Sequence, residues 1–232
     1  MRHPERARLL IHGGAFCLLG GRYVLGDAAQ TAVDSGCMAY SVDYRMPPDH
    51  PYPAAIEDCI SVYRELIKRY DPKKIAISGA SAGANLTATV ALKIRDLGLP
   101  MPAALGMMSV ASDLTSESDS RNANFGVDTT LNYKGYTFGD DIYAAGHDRK
   151  DPYLSPVFAD FTKGYAPTFL QTGTRDLLLS DNVRLHRALV RAEIEAELHV
   201  FEAMPHGGFG GDSPEDREVR TLLGKFIDKH MA

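Results

Sequence analysis

The chain has 232 residues, 44% of them apolar, and 25 basic against 30 acidic side chains leave a formal net charge of −5. That length lets one large domain bury most of its unfolded surface without disulfide or metal staples. The acidic balance excludes the basic face of a nucleic-acid binder, and no run of roughly 18 apolar residues offers a membrane span. Cys17, Cys37 and Cys59 are an odd set without CxxC spacing, which fits neither a disulfide framework nor a zinc site. The start, MRHPERARLLIHGG, has too short an apolar run for a secretory signal. A cytoplasmic protein with reduced thiols is therefore expected.

In chain order, short apolar runs at 7–11, 37–42, 74–78, 104–110, 168–171 and 197–201 read as strands buried on both faces. Helical patterns alternate with them. The segment 54–70 carries Ile56, Ile60, Tyr63 and Ile67 at helical spacing and is closed by Pro72. The segments 82–97, 182–192 and 214–230 read the same way. Repeated strand–helix–strand order predicts an α/β fold, a mostly parallel sheet of about six strands with helices on both faces. The rhythm breaks near 113–150, where polar residues precede Tyr133, Tyr136, Phe138 and Tyr143. That stretch is expected to be an insertion folded over one end of the sheet and partly covering the crevice there, within a single domain spanning 1–232. Phe138 and Tyr143 are candidates for a substrate pocket, and core packing is the competing reading for each.

Gly79-Ala80-Ser81-Ala82-Gly83 lies between the predicted strand 74–78 and the predicted helix from residue 82. This is a G-x-S-x-G nucleophile elbow in the required context. A serine on so tight a turn projects above the sheet, and side chains two places either side would clash. Three fixed positions at about 7% each over about 230 windows give about 0.08 chance matches, so the pattern is specific once strand and helix flank it. Serine is a poor nucleophile until a base takes its proton and a third group orients that base. Among histidines beyond the serine, His206 stands in the loop Met204-Pro205-His206-Gly207-Gly208-Phe209 directly after a predicted strand, the best position for a base. His186 and His199 fall within regular elements, and His230 falls in the terminal tail. Asp176, just past the strand 168–171, is the candidate acid; Asp181 is the alternative, placed where it could cap the next helix. All three leave the carboxyl ends of parallel strands, where open α/β sheets form their binding crevice.

His12-Gly13-Gly14-Ala15 ends the first strand. Glycines allow close backbone approach, and backbone N–H groups stabilise a tetrahedral oxyanion by several kcal/mol. The expected donors are Gly13, Gly14 and, after the nucleophile, Ala82. His12 is expected to brace the loop. No HExxH, P-loop or strand-borne GxGxxG occurs, so no metal and no cofactor is expected.

With these residues in hand, the sequence resembles the hormone-sensitive-lipase-like esterases of the α/β-hydrolase superfamily, the bacterial family IV. The matching stretches are IHGGAF, DYRMPPDHPYPAAIEDC (43–59), GASAGANL (79–86), DLT (113–115), KDPYLSP (150–156), APTFLQTGTRD (166–176) and MPHGGF (204–209). The resemblance implies an α/β-hydrolase fold and a carboxylic-ester hydrolase acting on small, short-acyl esters. It implies Ser81 as nucleophile, Asp176 as acid and His206 as base, with Asp43, Tyr44 and Arg45 bracing the surrounding loops. An amidase, arylformamidase or lactonase on the same scaffold is the alternative, as is a non-catalytic ligand-binding protein. Three features depart from the family: Ala15 replaces the usual third glycine, Ala80 replaces a residue that is often acidic, and the sequence begins at the HGG strand. A domain lacking the usual N-terminal cap and first two strands is thus expected, with a more open crevice. The strand 37–42 would then lie at an exposed sheet edge, and a homodimer is the expected partner arrangement.

Overall fold

The computed structural model describes residues 2–131 and 137–231; Tyr133 and Tyr136 lie outside the described residues. Six strands form one parallel sheet: β1 (His3–Ile11), β2 (Cys37–Val42), β3 (Ile75–Ala80), β4 (Ala104–Met108), β5 (Thr168–Gly173) and β6 (Ala196–Phe201), in the order β2-β1-β3-β4-β5-β6. The helices are α1 (Tyr23–Ser35), α2 (Ala54–Leu66), α3 (Ala82–Asp96), α4 (Ser120–Ala123), α5 (Thr137–Ala144), α6 (Leu179–Arg191) and α7 (Pro214–His230).

The central strands are buried on both faces because separate apolar clusters cover each side. Ile56, Ile60 and Tyr63 of α2, much of α3, and Leu185 and Leu189 of α6 join the larger cluster. Leu223, Phe226 and Ile227 of α7 pack with Ala76, Ala104 and Phe169 in the smaller one. The predicted edge strand 37–42 is indeed β2, only partly buried along its middle, and β6 forms the opposite edge.

Most boundaries shift by only a few residues. Helix α2 stops at Leu66 rather than residue 70, and the following turns release Tyr70 to hydrogen-bond Tyr40 at 2.9 Å. Helix α1 was not among the expected elements: Val24 is its only buried residue, while Leu25 and Val33 face outward, so it shows no apolar stripe. Its C-terminal Gly36, at φ 68°, was the one available signal. From β1 the chain goes outward to β2, then returns across β1 to β3. The loops leaving β1 and β3 therefore diverge at the topological switch point, where such sheets open a crevice. Those loops carry His12–Gly14 and Ser81 respectively.

Candidate active site

At the end of β3 the backbone of Ser81 adopts φ 56°, ψ −123°, a conformation costly for a residue with a side chain. Two glycines make the turn possible. A Cβ on Gly79 would lie 2.3 Å from the Gly83 carbonyl oxygen, and one on Gly83 would lie 2.0 Å from that of Ile11. The Ser81 N–H is held by the Met108 carbonyl at 2.9 Å. Ala82 then starts α3, leaving its N–H without an intrahelical partner.

Asp176 follows β5 and is completely buried. Its carboxylate accepts from Thr172 Oγ1 (2.9 Å), Leu178 N (2.8 Å) and His206 Nδ1 (3.1 Å). Because Nδ1 donates to that carboxylate, Nε2 is left to accept from the Ser81 hydroxyl, 2.9 Å away. Desolvation pushes the Asp176 carboxyl up, but the hydrogen bond and charge of His206, with the Leu178 N–H, more than offset this and hold it below its ordinary value. The serine, histidine and aspartate singled out in the sequence thus form one continuous hydrogen-bonded chain. His199 instead faces Glu197 at 3.2 Å and stacks on Phe169.

Two features bring His206 to this place. A Cβ at Gly173 would sit 1.9 Å from the Met204 carbonyl oxygen, so only glycine lets the loops after β5 and β6 touch. Beyond the histidine, Asp216 in the first turn of α7 accepts from Phe209 N (3.0 Å), Gly211 N (2.9 Å) and Ser213 N (3.1 Å). Sequence reasoning missed Asp216; the Ser213-x-x-Asp216 capping box was the signal that could have found it.

The loop after β1 is bent sharply, with Gly14 at φ 100°, Ala15 at 49° and Phe16 at 65°. The position of a Cβ on Gly13 lies 3.3 Å from the Ser81 Cβ, which puts this backbone directly beside the nucleophile. His12 stacks on Tyr44 (centroids 4.1 Å apart) and donates through Nδ1 to the Gly13 carbonyl at 2.8 Å. The Tyr44 hydroxyl donates to the His12 carbonyl at 3.1 Å, and Asp43 accepts from Gly21 N at 2.9 Å. Arg45 lies farther out, paired with Asp58.

Helix α5 closes over the same loop. A Cβ on Gly139 would fall 2.5 Å from the Ala15 carbonyl oxygen, and the Tyr143 ring stacks on Phe16 with centroids 4.0 Å apart. The two candidate pocket residues therefore separate. Phe138 is exposed, whereas Tyr143 is fully buried and supports the loop from behind instead of facing a cavity. Asp181, the alternative acid, is not a helix cap either. It lies within the first turn of α6, where its buried carboxylate meets Arg121 at 3.1 Å and accepts from Asp113 N at 3.2 Å. Among the described residues no cluster of His, Cys, Asp or Glu is arranged to hold a metal ion, and no helix is long and apolar enough to cross a membrane.

A family model described as the alpha/beta hydrolase fold matches residues 8–209. An acetyl-hydrolase of Streptomyces hygroscopicus is 31% identical over 97% of this chain and 76% of its own length. An esterase of Acinetobacter venetianus is 34% identical over 93% and 72%. Among solved structures, esterase E25 superposes with a TM-score of 0.92 at 38% identity, covering 98% of this chain and 71% of that one. A hormone-sensitive lipase from a metagenome library superposes at 0.93 with 32% identity, over 98% and 77%. The chain belongs to the α/β-hydrolase family and, within it, to the hormone-sensitive-lipase-like esterases of bacterial family IV.

Proposed function

We propose that this chain, a serine carboxylic-ester hydrolase by family, cleaves small, short-acyl esters through an acyl-enzyme on Ser81. The observation that carries the proposal is the chain from Ser81 Oγ to His206 Nε2 (2.9 Å) and from His206 Nδ1 to Asp176 (3.1 Å), at an elbow whose serine is held at positive φ. His206 takes the hydroxyl proton as Ser81 Oγ attacks the ester carbonyl. Asp176 holds the imidazole tautomer and stabilises the imidazolium that forms. The tetrahedral oxyanion rests on the N–H groups of Gly13, Gly14 and Ala82. His206 then gives its proton to the leaving alcohol, and a water molecule repeats the sequence to release the acid.

The short-acyl preference is supported by the likeness to an acetyl-hydrolase and by α5 pressing on Ala15 beside the oxyanion loop. Phe138, exposed next to that contact, is the pocket-wall residue in this proposal. Pairing of two copies along the β2 edge belongs to the same proposal, supported by that edge having no further strand beside it among the described residues.

Ser81→Ala is expected to lower p-nitrophenyl acetate hydrolysis by on the order of a thousandfold or more. It should also abolish labelling by a fluorophosphonate probe while leaving the circular dichroism spectrum unchanged. Retained turnover by folded Ser81→Ala protein would remove the nucleophile assignment.

A further inference from the structure

The turn that carries Asp176 is gripped from outside by the insertion. Ser120 Oγ donates to the Leu177 carbonyl at 2.7 Å and accepts from Ser180 N at 2.8 Å. Asn124 Nδ2 donates to the carbonyls of Asp176 (2.8 Å) and Thr174 (3.2 Å). Asp128 Oδ2 accepts from Leu177 N at 2.8 Å, while its other oxygen closes its own turn on Thr130 N and Leu131 N. The three side chains are spaced four residues apart. Backbone hydrogen bonds from Asn124 N to Ser120 O (2.9 Å) and from Asp128 N to Asn124 O (3.0 Å) keep them on one edge.

We propose that Ser120, Asn124 and Asp128 are positioning residues for the reaction: they set the turn 174–180 so that the Asp176 carboxylate meets His206. The inference rests on the catalytic assignment made above. Its physical basis is the accounting of the turn's backbone groups. Gly173 O accepts from Asp176 N, and Asp176 itself takes the Leu178 N–H. The Leu177 N–H, next to the acid, has a carboxylate brought to it from 49 residues away in sequence. Asp128 is completely buried, although burying a carboxyl is costly unless its oxygens are satisfied. Here both are, and one of them by the acid's own turn. A displacement of about 1 Å in such a constellation can cost on the order of a hundredfold in rate. Small losses in this grip are therefore read out as kcat.

A double-mutant cycle separates positioning from plain stabilisation. Hydrolysis of p-nitrophenyl butyrate is followed per folded molecule, well below each variant's melting temperature, for Asp128→Asn, Asn124→Ala, Asp176→Asn and the two double variants with Asp176→Asn. Asp128→Asn is expected to lower kcat about tenfold or more with KM changed less than about twofold, and Asn124→Ala to act in the same direction more weakly. On the Asp176→Asn background neither should lower the rate further, because the group they position has lost its charge. Unchanged kcat in both single variants, or rate losses that multiply on the Asp176→Asn background, would overturn the inference. A wild-type rate in Asp176→Asn would instead overturn the assignment of the acid. Should Asp128→Asn fail to fold, Asn124→Ala, at a half-buried position, carries the same cycle.

Discussion

At the scale of single residues, the site depends on where backbone must meet backbone. Gly83 illustrates this. Its Cβ position is 2.0 Å from the carbonyl oxygen of Ile11, the last residue of β1, and 2.5 Å from that of His12, neither of which is a flexible side-chain end. Gly83→Ala must therefore push α3 away from the end of β1, separating the nucleophile from Gly13. The expected cost is about 3 kcal/mol by chemical denaturation, the upper end for overpacking, together with loss of most esterase activity. A variant of native stability and activity would show that the two loops yield without affecting the site. Gly21, with open space around its Cβ position, provides the contrast for volume alone, although its φ of 66° still favours glycine.

At the scale of elements, α5 acts on the oxyanion loop through one aromatic pair. Tyr143 stacks on Phe16, which is held in the left-handed region, yet the Tyr143 hydroxyl is buried without a hydrogen-bond partner among the described residues. Ring and hydroxyl should therefore have opposite effects. Tyr143→Phe is expected to raise stability by about 1 kcal/mol, since an unsatisfied buried hydroxyl is removed, and to leave kcat unchanged. Tyr143→Ala is expected to cost about 3–5 kcal/mol and to lower kcat more than it raises KM, because Phe16 loses the surface that keeps the loop bent. Equal effects of the two substitutions in thermal melts and steady-state kinetics would contradict this division. The contact also explains why the sequence alone left Tyr143 open between pocket and core. A lone aromatic in a polar insertion reads the same in either role until its partner, here 127 positions away in sequence, is known.

At the scale of the whole molecule, the insertion is tied to the body by buried charge. Arg121 lies 3.6 Å from Asp140 of α5 and 3.1 Å from Asp181 of α6, and all three are buried. Desolvation raises the Asp140 carboxyl to about 7, against the opposing pull of Arg121. A carboxyl with an ordinary value near 4 in the unfolded chain then binds its proton more tightly in the folded one, so folding stability falls as pH climbs from about 4 through 7. Asp140→Asn removes the ionisation. Its melting temperature is expected to be close to that of the wild type near pH 4 and to rise above it progressively up to about pH 7, a trend that differential scanning calorimetry can follow. A difference independent of pH would mean that Asp140 is paired strongly enough to stay ionised throughout.

Local pattern was sufficient for what local physics controls. Short, nearly continuous apolar runs marked the strands, although the edge strands β2 and β6 are only partly buried rather than covered on both faces, and the elbow and HGG turn were legible because few residues other than glycine tolerate that backbone. The chain order of α/β-hydrolases that goes with the elbow, together with which loops leave the strand ends, singled out Ser81, Asp176 and His206. Only the tertiary structure decided how distant segments meet: Asp181 turned inward to Arg121 rather than capping its helix, Tyr143 lodged behind Phe16, and Ser120, Asn124 and Asp128 applied to the turn of Asp176. Those contacts join residues tens of positions apart and are set by packing and by the need to satisfy every buried polar group. Neither constraint leaves a periodic mark in sequence, whereas the glycines and apolar runs do, because strain and burial act on each residue where it stands.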